Sequence, residues 1–120
     1  SCLSPAEAGS FTEQVENWYF PYKNYWHTKG GGEAIVFEIE AANIGMLYQR
    51  DVDAAFGLYD VYIDGERVRS LNGYFEDGWG NSMEAVELYV SEEAALHRVE
   101  VRKNPDSTGD LFTILCWLVS

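Results

Sequence analysis

The chain has 120 residues, 20 of them acidic and 8 basic, for a formal net charge of −12. That length fits one domain, and 47% hydrophobic with 23% charged residues is the balance of an ordinary folded chain rather than a disordered one. A surface this acidic repels phosphate backbones and anionic lipid, so nucleic acid and membrane are set aside as partners, and neutral polysaccharide, a cation or another protein remain.

No apolar run approaches the roughly 20 residues of a membrane helix. The start shows no signal-peptide pattern, which fits a chain that never had one or one already trimmed. Cys2 and Cys116 could close one disulfide in an oxidising compartment. The favoured reading has no bridge, with Cys116 packed in a strand as a small hydrophobe.

In chain order, residues 1–29 read as an irregular, aromatic-rich lead-in and 30–120 as the core of a single β-sandwich domain. Ser4 followed by Pro5-Ala6-Glu7-Ala8 has the chemistry of a single helical turn. Phe11, Val15 and Trp18 stand at helical spacing. Residues 18–26 then run Trp-Tyr-Phe-Pro-Tyr-Lys-Asn-Tyr-Trp, rings mixed with loop-forming residues.

After Gly30-Gly31-Gly32, Ile35, Phe37 and Ile39 alternate with Glu38 and Glu40, the pattern of a half-buried strand. Ile44 to Gln49 reads as the next strand. Tyr59, Val61 and Ile63 alternate ahead of Asp64-Gly65, the strongest hairpin signal in the chain, because a type I′ turn needs positive φ at both central residues. Glu66 to Leu71 is the return strand. Residues 72–82 form a second aromatic loop holding Tyr74, Phe75 and Trp79 among Gly, Asn and Asp.

Val86–Val90 and His97–Arg102 alternate again, and Asn104 to Asp110 is a loop. His97 shares the inward side with Val99 and Val101 and is expected to be buried and hydrogen-bonded. Leu111 to Val119 is apolar on both faces, so it is either central to a covered sheet or docks against something outside the domain. Six or seven strands without a long amphipathic helix make the fold class an all-β antiparallel sandwich.

The chemistry is narrower than the acid count implies. His27 and His97 are the only histidines, and there is no Gly-x-Ser-x-Gly elbow, which weighs against a serine hydrolase. Paired carboxylates for a glycosidase need a cleft that 120 residues leave little room for. Transition-metal ligand spacings are missing. For calcium the candidates are Asp51 with Asp53 and Asp106 with Asp110, neither matching a calcium-loop pattern, and solvated surface acids are the better reading.

The loop rings remain. Sugar C–H faces pack on Trp and Tyr while amides and carboxylates bond hydroxyls, so Asn24, Tyr25, Trp26, Tyr74, Asp77, Trp79 and Asn81 are the candidate carbohydrate-binding residues, with His27 beside them. The alternative is that these rings plug the ends of the sandwich.

The succession 34–40 (Ala-Ile-Val-Phe-Glu-Ile-Glu), 59–65 (Tyr-Asp-Val-Tyr-Ile-Asp-Gly), 96–102 (Leu-His-Arg-Val-Glu-Val-Arg) and 111–115 (Leu-Phe-Thr-Ile-Leu) resembles the N-terminal accessory domain of bacterial SGNH (GDSL-type) carbohydrate esterases. The resemblance covers about residues 30–116 and rests on the order of these motifs. It implies a galactose-binding-like jelly roll, also used by carbohydrate-binding modules of plant-cell-wall-degrading bacteria. It further implies an extracellular or cell-surface setting, with the catalytic part missing. The resulting expectation is a non-catalytic module that binds polysaccharide or oligosaccharide and needs no cofactor. Its rivals are a ligand-free domain docking on an adjacent catalytic domain and a protein-interaction module of a cell-surface assembly.

Overall fold

The structure, a computed structural model, describes residues 3–14, 25–76, 78, 80 and 82–120. Seven strands carry them: β1 (Thr12–Gln14), β2 (Tyr25–Thr28), β3 (Ile35–Arg50), β4 (Leu58–Ile63), β5 (Glu66–Asn72), β6 (Ser82–Lys103) and β7 (Phe112–Val119). They pair antiparallel in the order β1-β2-β7-β3-β6-β4-β5.

β3 and β6 are long enough to serve both halves of the sandwich. The first part of β3 (35–41) pairs with the last part of β6 (95–101), and that half continues to β4 and β5. The rest of β3 (43–50) pairs with residues 82–90 of β6 on one side and with β7 on the other, leading to β2 and β1. The register jumps from Ala41↔Ala95 to Asn43↔Val90 and from Ile44↔Tyr89 to Gly45↔Glu87. Extra residues on β6 therefore bulge out, which bends the strands.

The bend brings the halves face to face. Phe37 meets Trp117 edge-on at 4.9 Å, and Tyr59 stacks on Phe112 at 4.7 Å. The core is built from the inward positions of every long strand, with Ile35, Val61, Val99 and Val101 sealed inside. This is the antiparallel β-sandwich expected from the alternation.

The hairpin forms at Asp64-Gly65, with φ of 53° and 85° and Ile63 opposite Glu66. Both residues sit in the left-handed region, as a type I′ turn demands. His97 is buried, and its Nδ1 lies 2.6 Å from Asp64 Oδ2. The other Asp64 oxygen accepts the Arg98 N–H at 2.9 Å, so this carboxylate ties the turn to β6. Cys116 is buried in β7, whereas Cys2 lies outside the described residues.

Four expectations are corrected. The Pro5–Ala8 turn does not form. Instead Ala6 and Val36 donate backbone hydrogen bonds that join Ala6-Glu7 to the start of β3, because that edge offers partners a lone turn lacks. Phe11, read at helical spacing, is buried in the core and leads into β1. The lead-in is not irregular throughout, since it supplies β1 and β2. Finally, Ile44–Gln49 belongs to the same strand as Ile35–Ile39, and Val86–Val90 to the same strand as His97–Arg102. The alternation breaks at the bulges, where each strand changes halves, and that break mimics a loop.

Candidate functional site

β5 is one margin of the strand order, and residues 82–90 of β6 form the outer margin of the other half. Between them runs a groove of about 440 Å³ lined by Tyr48, Arg50, Arg69, Asn72, Glu84 and neighbours on the same strands. The register sets Tyr48 opposite Glu84 and Arg50 opposite Ser82.

Tyr48 forms the floor. Its ring stacks on Phe112 at 5.6 Å and its hydroxyl donates to Glu84 Oε2 at 3.3 Å. Burial pushes its phenol up to about 12, with the Glu84 charge adding to the rise, so it stays a protonated donor at any ordinary pH.

Arg50 spreads three ways. Its Nη1 meets Glu84 Oε2 at 3.1 Å, its Nε donates to the Asn72 carbonyl at 3.1 Å, and its Nη2 donates to the Tyr74 carbonyl at 3.2 Å. The guanidinium also sits 5.1 Å from the centre of the Phe75 ring. The Arg69 side chain is exposed and makes no hydrogen bond or ion pair with another described residue.

The aromatic loop begins at the mouth of this groove. Asp51 N–H donates to the Gly73 carbonyl at 2.8 Å and Phe75 N–H to the Asp51 carbonyl at 3.1 Å. Asn72 Oδ1 accepts the Tyr74 N–H at 3.0 Å, closing a local turn. A Cβ on Gly78 would stand 2.2 Å from the tip of the Phe75 ring, so any larger residue there requires that ring to move. The groove thus offers donors and acceptors in several directions beside half-buried Tyr74, which is the equipment for holding a polyhydroxylated ligand.

Neither histidine lines it. His97 is held by Asp64. His27 lies in β2 with Nδ1 2.6 Å from Thr113 Oγ1, and burial lowers its pKa, with the Lys29 charge adding to the fall. Three of the candidate calcium carboxylates have partners within the chain. Asp51 Oδ1 accepts the Asp53 N–H at 2.9 Å, Asp53 Oδ1 accepts the Ala55 N–H at 2.9 Å, and Asp110 pairs with Lys103 Nζ at 2.6 Å. Among the described residues no cluster of three or more metal-ligating side chains occurs.

The structure describes three of the candidate residues read from the sequence. Tyr25 and Trp26 are in β2, where Trp26 stands opposite Ile114 of β7, itself opposite Tyr48 of β3. Tyr25 is corrected as a stacking ring: it is 7% exposed and packs with Leu115 and Leu47, because pairing of residues 26–28 with β7 draws it into the sheet. Trp26 is half-buried against the core. Tyr74 stands beside the groove. Asn24, Asp77, Trp79 and Asn81 lie outside the described residues. Tyr48, Arg50, Arg69 and Glu84 went unnoticed in the sequence, since only the β3–β6 register and the β4–β5 hairpin bring them together.

No protein-family model matches the sequence, and no curated protein does. Solved structures do. A two-domain esterase active on acetylated mannans superposes with a TM-score of 0.77 at 21% identity, over 91% of this chain and 31% of its own. A family two carbohydrate esterase from Clostridium thermocellum, solved in complex with cellohexaose, gives 0.63 at 9% identity, over 98% of this chain and 31% of its own. A family 35 carbohydrate-binding module from an environmental isolate gives 0.54 at 12% identity, over 97% of this chain and 90% of its own. The chain thus spans about a third of those esterase chains and matches the carbohydrate-binding module chain nearly end to end. At these identities the likeness establishes a shared β-sandwich fold.

Proposed function

We propose that this chain is a non-catalytic module of a bacterial extracellular carbohydrate-degrading system, binding plant-type oligosaccharide or polysaccharide in the groove between β5 and β6. The observation that carries the reading is the groove itself: Tyr48, Arg50, Glu84 and exposed Arg69 beside an aromatic loop, on a fold shared with carbohydrate-binding modules. In this reading Tyr74 and Trp79 supply ring faces, and Asp77, Asn81 and Asn72 bond hydroxyls. Asn24 and Trp26 belong to the other aromatic stretch and would serve a second contact. The separation of both histidines from the groove supports a binding rather than a hydrolytic role.

Affinity electrophoresis against a panel of soluble and insoluble polysaccharides tests this. Binding in the micromolar to millimolar range, about 4–8 kcal/mol, is expected, with Trp79→Ala and Arg69→Ala losing retardation while the melting temperature holds. No binding by the parent to any glycan refutes it.

A second reading, docking on an adjacent esterase catalytic domain, is favoured by one observation. Val90 and Leu118 are exposed and lie opposite Asn43 and Gly45, on one face of β3, making an apolar patch beside the end of β7. Leu118→Asp should then weaken association with such a domain in calorimetry and leave glycan retardation unchanged.

A further inference from the structure

The arm of the aromatic loop that borders the groove, residues 72–76, is held to the sandwich by backbone hydrogen bonds and by one side chain that reaches two of its carbonyls. Arg50 ends β3, where it pairs with Ser82 of β6, and its guanidinium reaches two features of that arm: the Asn72 carbonyl at 3.1 Å and the Tyr74 carbonyl at 3.2 Å. Its plane covers Phe75, and its remaining arm is fixed by Glu84, which also takes the Tyr48 hydroxyl. The rest of the attachment is backbone, through Asp51 and Gly57.

A planar fork with fixed donor directions can do this, while a single ammonium on a flexible stem cannot satisfy two carbonyls, a carboxylate and a ring face at once. Backbone carbonyls are a poor reason to place a cation on a surface. Here both lie in a segment whose neighbouring rings border the groove.

We infer that Arg50 is the positioning residue of the groove: it fixes the 72–76 arm in the ligand-competent conformation and thereby sets affinity through the arm. This rests on the groove being the ligand site. The physical basis is that an arm already ordered in the free protein loses less conformational freedom on binding. Glu84 is part of the device, because it neutralises the guanidinium and fixes its orientation.

Hydrogen exchange of the 120-residue chain, read by mass spectrometry, tests this together with affinity for whichever polysaccharide the parent binds. In both Arg50→Lys and Arg50→Gln, amides of residues 74 and 75 should exchange about tenfold faster or more, with β4 amides unchanged, and affinity should fall about tenfold. Parent-like exchange of the arm in both variants overturns the inference. So does equal acceleration in β4, which makes Arg50 a general stabiliser. Full protection in Arg50→Lys overturns it too, since charge rather than the fork would then hold the arm. If Arg50→Gln fails to fold, Arg50→Lys decides alone. If the parent binds no polysaccharide, the groove reading fails, and the exchange pattern still decides whether Arg50 holds the arm.

Discussion

Two loops are tied to this sandwich by opposite means. The 104–110 loop is fastened from within. Asn104 Nδ2 donates to both oxygens of buried Asp60 at 3.0 Å, Ser107 Oγ accepts the Leu58 N–H at 2.8 Å, and the Tyr59 hydroxyl donates to the Asp110 carbonyl at 2.5 Å. The 72–76 arm is fastened at the surface, by the Arg50 side chain, 28% exposed, and a short run of backbone bonds. A loop whose anchors are buried opens only when the core opens, whereas one with exposed anchors can open locally at far lower cost. The first behaves as part of the fold, and the second is available to a ligand.

This contrast can be broken in order of expected effect. Tyr59→Ala removes a ring packed on Phe112 and Phe11 together with the Asp110 bond. It should cost about 3–5 kcal/mol in urea unfolding, as large aromatic truncations in a core do. Asn104→Ala strips the buried Asp60 carboxylate of two contacts but leaves Ser70 Oγ at 2.6 Å. A loss of about 1–3 kcal/mol is expected from the uncompensated acceptor. A smaller loss would mean that the 104–110 loop is no better anchored than the 72–76 arm.

On the groove side the stability effects should nearly vanish. Arg69→Ala should shift unfolding by no more than about 0.5 kcal/mol, the range of surface changes without a packing role, while glycan retardation weakens. A destabilisation comparable to Asn104→Ala would show that the groove is part of the fold's support.

The smallest effect sharpens the comparison at a third turn. Asp64 is held below its usual pKa of 3.8, first by the bond from His97 and then by the Arg98 N–H. Its folded pKa is depressed, so its contribution is fully present above 3.8 and is lost as pH falls through the lowered value. Urea midpoints followed from pH 6 down to pH 2 should fall less steeply for Asp64→Asn than for the parent. Parallel curves would mean that the turn does not depend on this charge.

Much of the fold was legible. The alternation of β4, the Asp-Gly turn and the inward position of His97 are local signals, and each appears where the residues put it. β2 was hidden because Tyr25 and Trp26 sit in a run of loop chemistry, and only β7, far along the chain, makes strand of them. The groove was hidden for the same reason. Tyr48 and Glu84 are 36 residues apart, and nothing in either neighbourhood announces the other. Aromatic crowding was a poor guide to exposure for Tyr25, because ring burial depends on which strand pairs beside it.

The sharing of β3 and β6 between both halves has a kinetic consequence. Apart from the β4–β5 hairpin and the short β1–β2 pair, every ladder joins segments distant in sequence, and neither half owns a complete set of strands. The chain must close several long loops before any half is worth forming. Folding is therefore expected on the slow side for this length, about milliseconds to seconds as for other sandwiches dominated by non-local pairing. Until the two bent strands are in register, the unmatched backbone of β6 stands open to other chains, so the same continuity that welds the halves together makes early association the hazard during synthesis.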